Sequence, residues 1–217
     1  MIELSEFERH VLPEVIGCPS SVIEQAVVQS IIDFAEHTWI FTKSFNTTLT
    51  SSDIEDSIND YVDFDVSQYV TDKNVIAIKE LRIDGLEWRL KYISLEDETS
   101  YMDYLREENQ KVFSFPDTGT VRIHELESGE EVYLEVVYKP TYGITEIDNV
   151  IYYDWLDAIA SGAKARLMLM PNQPWTNTKM ASYYEVMFRG FMAQAKQKIQ
   201  QNYTDEPNRV KWRRFGE

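Results

Sequence analysis

Apolar residues recur at helical spacing from 21 to 40 and again from 149 to 201, while the stretch between them alternates with a period of two. In "SVIEQAVVQSIIDFAEHTWI", residues 21–40, Ile23, Val27, Val28, Ile31, Ile32, Phe34, Ala35 and Trp39 gather on about half of the helix circumference. Gln25, Gln29, Asp33 and Glu36 share the remainder. Ser21 and Glu24 have the spacing of a capping box, and Pro19 keeps an earlier turn from running into the helix. So wide an apolar arc exceeds what one core contact needs. It suits a helix facing its own domain on one flank and a neighbouring subunit on the other.

From 39 to 142, "WIFTKSFNTTL", "VIAIKELRIDG", "EWRLKYIS", "KVFSFPD", "GTVRIHEL" and "EEVYLEVVYKP" read as strands. Asp84-Gly85 between two such runs predicts a tight hairpin, with further turns at Asp117 to Gly119 and at Ser128-Gly129. The acidic segment 51–65 reads as a loop, and 96–110 as an exposed acid-rich insertion.

Two helices follow. The first spans 149–170 and stops before Pro171; the second spans 177–201, with Thr176 or Thr178 as its cap. On the first, Trp155, Ala158, Gly162, Ala165 and Leu169 share one stripe, and Tyr152, Leu156, Ile159, Ala163 and Met170 an adjacent one. Glycine inside a helix costs about 1 kcal/mol relative to alanine, so Gly162 points to close approach by another element. That element can belong to the same monomer or to a bundle that includes neighbouring copies, and Ala158, Gly162 and Ala165 are candidate interface residues on the second reading. Arg166 lies by helical angle in the middle of the apolar face. A buried Arg calls for a carboxylate partner, from another element or another subunit. On the second helix Met180, Tyr184, Met187, Phe188, Phe191, Ala195 and Ile199 form a packing stripe opposite Ser182, Glu185, Arg189 and Lys196. The fold class expected is α+β: an N-terminal helix and two C-terminal helices forming a bundle, with a central antiparallel β-region. Residues 1–201 form one domain, and 202–217 a C-terminal extension.

Length and charge narrow the reading. A chain of 217 residues is long enough to bury about 70% of its unfolded surface without metal or disulfide. Net charge is −16, from 37 acids against 21 bases, which argues against a surface that grips phosphates and is compatible with one past which nucleic acid slides. Cys18 is the only cysteine, so no intramolecular disulfide forms. No apolar run approaches the ~20 residues of a membrane span, and the opening "MIELSEFERH" is unlike a secretory signal. The expectation is a soluble, intracellular protein that does not engage membranes.

Enzyme chemistry finds little support. No GxxxxGK[ST], GxGxxG, HExxH or GxSxG motif occurs, and "SGAKA" lacks the phosphate loop's first glycine and following hydroxyl. His10, His37 and His124 lie in different zones without ligand spacing, and His37 sits at the edge of an apolar helix face as a packed or interface residue. Cys18 precedes a proline, a poor place for a nucleophile. Asp53, Glu55, Asp56, Asp60, Asp63 and Asp65 crowd one segment, but no glycine stands mid-way as a calcium loop requires. No catalytic, cofactor-binding or metal residue is therefore assigned, although a carboxylate pair from distant segments stays open. The last stretch, "NRVKWRRFGE", is the exception in an acidic chain. Arg209, Lys211, Arg213 and Arg214 interleave with Trp212 and Phe215, residue types that dominate interface hot spots. If they form a docking arm, their order has to come from the partner, since ten residues with two aromatics cannot fold alone. A docking arm, a frayed tail and a nucleic-acid contact are the alternatives.

The residues "VLPEVIGCPSSVIEQAVVQSIIDFAEHTWIF" and "IASGAKARLMLMPNQPWTNTKMASYYEVMFRGFMAQAKQKI" resemble the helical ends of head-to-tail adaptor proteins of tailed bacteriophages. Leu12-Pro13, Cys18-Pro19, Thr38-Trp39, Gly162-Ala163, Leu167, Pro171 and Pro174-Trp175 carry the likeness, with "IKELRIDG" in the β-region. The resemblance implies a homo-oligomeric ring, a dodecamer, beneath the portal protein and above a downstream tail or nozzle protein. It implies passage of double-stranded DNA through the channel without sequence-specific binding, a place in the virion neck, and assembly in the host cytoplasm. A C-terminal extension would anchor to the portal, which makes Arg209, Lys211, Trp212, Arg213, Arg214 and Phe215 candidate portal or subunit contacts, with Arg166, Ala158, Gly162 and Ala165 in the bundle. The neighbouring readings are another neck or tail-completion protein, an acidic binding module, or a hydrolase.

Overall fold

The change of period along the chain is a change of secondary structure, and the protein is α+β. The structure, a computed structural model, describes residues 1–48, 61–65, 73–87, 89–92, 110–117, 120–124, 126–127 and 129–200. All of 51–60, all of 96–109 and the whole of the arm, including Arg209, Lys211, Trp212, Arg213, Arg214 and Phe215, lie outside the described residues. Two compact units divide the chain, Met1–Ser30 with the part from Asp148 onward, and Ile31–Ile147.

The first unit is helical. After a short strand β1 (Ile2–Glu3) come two 3-10 turns, Leu4–Phe7 and Leu12–Glu14, on either side of the one-turn helix α1 (Glu8–Val11). The long helix α2 (Ser20–Thr38), which belongs to this unit as far as Ser30 and to the second unit from Ile31, starts one residue before the expected cap, so Ser21 lies inside the first turn and the predicted capping box is displaced. Instead Pro19 O accepts from the amides of Val22 and Ile23, and Ser20 Oγ donates to Glu8 at 2.8 Å. The helix ends at Thr38 because Trp39 adopts φ +60, and Trp39 is exposed rather than part of the apolar arc. The rest of the arc, Ile23, Val27, Val28, Ile31, Ile32, Phe34 and Ala35, is buried within the chain. The breadth of the arc therefore reflects enclosure by the chain itself, not a flank left for a neighbouring subunit.

Helix α3 (Asn149–Met168) is capped by Asp148, whose carboxylate accepts from the Val150 amide at 3.0 Å. It stops two residues short of the predicted end. The chain folds back there through Asn172, at φ +60, and the Asn177 amide donates to Met168 O at 3.0 Å. Helix α4 (Thr178–Gln200) is capped by neither threonine: Asn177 Oδ1 accepts from the Met180 amide, while Thr176 Oγ1 is taken by the turn, accepting from Gln173 N.

The second unit holds the sheets. Strands β2 (Thr42–Thr48), β9 (Glu131–Pro140), β4 (Lys73–Ile83) and β5 (Leu86–Glu87) form one four-stranded sheet in that order. Strands β3 (Tyr61–Asp65), β8 (Thr120–His124), β7 (Gln110–Ser114) and β6 (Arg89–Tyr92) form the other, and a short β10 (Glu146–Ile147) follows. Pairing is antiparallel except between β6 and β7. The predicted Asp84-Gly85 hairpin is present, both residues at positive φ as a tight primed turn demands, with Asp84 Oδ1 accepting from Glu131 N at 2.9 Å. Two readings are corrected. "EWRLKYIS" is not one strand, since Glu87 and Arg89 belong to different sheets. The segment 51–65 is not all loop, since Tyr61–Asp65 is a strand. Alternate residues of β9, Val132, Leu134 and Val136, join Val62, Leu81, Val121 and Ile123 in a core drawn from both sheets.

Candidate interaction surface

Gly162 is the tightest point of the helical unit. A Cβ built on it would stand 2.9 Å from Ser30 Oγ, 3.0 Å from Ser30 Cβ and 3.1 Å from Phe188 Cε2. The Ser30 hydroxyl is itself tied to Ala26 O at 2.8 Å, so α2 presses on α3 from one side and α4 from another. The close approach that a glycine in mid-helix implies is thus made inside the monomer. Six consecutive residues, Ala158 to Ala163, are buried, as are Ala165, Leu167 and Met168. Ala158, Gly162 and Ala165, candidate interface residues on the sequence reading, are buried within the chain. Arg166 is half-buried, and Leu169, placed in the stripe by periodicity, is exposed.

A polar cluster fixes the start of the chain to α3 and α4. Glu14 accepts from Lys164 Nζ at 2.7 Å and from the Tyr184 hydroxyl, and Lys164 Nζ lies 5.1 Å from the Tyr184 ring centroid. Burial works to raise the Glu14 carboxyl, but the hydrogen bonds from Lys164 and Tyr184 and the Lys164 charge outweigh it and hold it below the usual value. Tyr184 is pushed up to about 12, by burial, by its bond to Glu14 and by the charges of Glu14 and Tyr183.

Helix α4 buries only a line. Ala181, Phe188 and Ala195, seven residues apart, are enclosed; Tyr184, Met187, Phe191 and Ile199 are half-buried, and Met180 is exposed. The packing stripe read from the sequence is therefore narrower than its apolar residues. On the opposite face, among exposed polar residues such as Lys179, Ser182 and Arg189, Tyr183 and Val186 are 55% and 71% exposed, and Ala193 is exposed beside them. Gly190 lies on this face, and apart from its chain neighbours and the backbone of its own helix no described atom comes within 4 Å of the Cβ it lacks. Among the described residues no close approach offsets the cost of that glycine. A second mid-helix glycine, one helix later, thus stands on an exposed face of α4 that periodicity alone did not single out.

The candidate chemical groups are dispersed. His10 lies edge-on to Tyr152, His37 is exposed and its Nδ1 is 2.8 Å from Asp33 O, and His124 is buried beside Tyr61 in the second unit. Cys18 is buried, and burial together with the Glu8 charge raises its thiol pKa, the opposite of an activated nucleophile. Asp63, read as part of an acidic loop, pairs with Arg122 through two 2.8 Å bonds, and the guanidinium lies 3.9 Å from the Tyr61 ring centroid. Among the described residues no group of three or more His, Cys, Asp or Glu side chains could hold a metal ion, and no helix is long and apolar enough to cross a membrane. Compared with protein-family models and with curated proteins, the chain matches none.

Proposed function

We propose that this protein is a virion structural component of a tailed bacteriophage, an adaptor ring that joins portal to tail and continues the DNA channel. The observation that carries the reading is the exposure of Tyr183, Val186, Gly190 and Ala193 together on one side of α4. A helix that spends a glycine and two large apolar residues on solvent is built to meet another chain, and a ring of identical copies provides one at every position. Three features support it. The residue pattern of both helical ends resembles such adaptors; the element order is helix, sheets, two helices; and the net charge of −16 suits a channel wall that does not hold DNA. In this reading the protein is not an enzyme, needs no cofactor, resides in the neck after assembly in the host cytoplasm, and attaches to portal through residues 207–217.

Electron microscopy of the protein mixed with portal particles tests the proposal. The expected image is a ring of density capping the portal. Absence of any such density, with the protein remaining a monomer at high concentration, would refute it.

A further inference from the structure

A cleft of about 260 Å³ lies between α3 and α4, lined by Tyr153, Asp154, Trp155 and Asp157 from the one and by Phe191 and Lys198 from the other. It sits where α3 leaves helical geometry, at Trp155, with φ −128 and ψ 18. Breaks in helices usually have a proline or glycine nearby, and residues 151–158 contain neither. The break instead accompanies the burial of the Trp155 indole, over which Lys198 Nζ lies 5.2 Å from the ring. The result is an aromatic floor with an acidic rim: Tyr153, Asp154 and Asp157 are all exposed. Such a site takes a guanidinium and an aromatic ring together, the first on the carboxylates and the second against the rings.

One segment of this chain has that chemistry. Residues 208–217, "NRVKWRRFGE", hold four of the chain's 21 bases together with Trp212 and Phe215. Helix α4 ends at Gln200, two residues beyond Lys198 at the cleft, and the nine residues from there to Arg209 reach up to about 30 Å when extended. That length is ample for the chain to turn back. We propose that residues 208–217 dock in the α3–α4 cleft of their own chain, an arginine of the segment on Asp154 and Asp157 and Trp212 against the aromatic wall. Tethering makes the encounter intramolecular at an effective concentration of order millimolar, so a contact weak as a free peptide is populated in cis. The inference concerns the free protein and does not depend on ring formation. Portal attachment through the same segment would have to displace it.

Full-length protein carrying Gly216→Cys and a fluorophore there, with Cys18→Ser to leave one thiol, reads the state of the segment by anisotropy. The expected value is well above that of the labelled peptide 208–217 free in solution, and independent of protein concentration. It should fall to the free-peptide value in Asp154→Asn/Asp157→Asn, and equally when unlabelled peptide is added in excess to the unsubstituted cleft. Both aspartates are exposed, and circular dichroism checks that the helices persist. An anisotropy equal to the free peptide from the outset overturns the proposal. So does a value that rises with concentration, which would place the segment on another copy, or one that the aspartate pair leaves unchanged.

Discussion

Gly162 and Ser30 meet so closely that a single methyl group on the glycine would stand 3.0 Å from Ser30 Cβ, an atom fixed to the α2 backbone. The hydroxyl could rotate away; the Cβ cannot. Alanine is the better helix former by about 1 kcal/mol, so on propensity alone Gly162→Ala would stabilise. The geometry predicts the reverse, a loss of about 1–3 kcal/mol from overpacking. Ser30→Gly should recover part of it in a double-mutant cycle read by urea unfolding. An unchanged or raised midpoint for Gly162→Ala would show that α2 and α3 separate at no cost.

The outer face of α4 makes a contrasting prediction. Val186→Glu places a charge on a side chain already 71% exposed, so monomer stability should move by no more than about 0.5 kcal/mol. Self-association and attachment to portal should be lost, as sedimentation and electron microscopy would report. If Val186→Glu assembles like the unsubstituted protein, this face is not the subunit contact.

Stability at alkaline pH should depend on Tyr184. Its folded-state pKa, about 12, lies above the ordinary 10.0, so the contribution is whole below pH 10 and disappears as pH rises through 12. Tyr184→Phe should abolish that alkaline loss. At the other end, Glu14 is held below its usual 4.5, so its contribution is present above that value and fades as pH falls beneath it. Glu14→Gln should flatten the acid limb. Thermal melts across both ranges that superimpose for variant and parent would discount the cluster.

In the second unit, Asp63→Ala removes the partner of a half-buried guanidinium held by two 2.8 Å bonds. The expected loss is about 1.5–3 kcal/mol, the range for a hydrogen bond to a charged group. Chemical denaturation measures it, and a loss under about 0.5 kcal/mol would class the pair with ordinary surface bridges.

Attachment to portal through the arm predicts an order of effects. Trp212→Ala should abolish binding where Lys211→Ala only weakens it, since a large aromatic in a partner pocket carries about 2 kcal/mol or more against about 1 or less for a rim charge. Pull-down by portal particles decides; equal effects, or none, would remove Trp212 as the anchor.

What the sequence by itself determined was local. The period of apolar residues separated helices from strands, Asp84-Gly85 announced its hairpin through the positive φ both residues adopt, and Gly162 announced a close approach. Each is written within a few neighbouring residues. Tertiary structure decided everything that required knowing what lies opposite. The helix α2 could not reveal that its arc from Ile23 to Ala35 is covered by its own chain, and α3 could not reveal that Gly162 meets Ser30, 132 positions earlier. Trp39 and Leu169 carried the right period yet lie outside, because the chain turns at or beside them. "EWRLKYIS" has unbroken strand character yet serves two sheets, because strand pairing is a property of partners. Periodicity marks a face as apolar; only the fold decides how much of that face the chain covers, all but Leu169 of the Gly162 stripe on α3 and only a line through Ala181, Phe188 and Ala195 on α4.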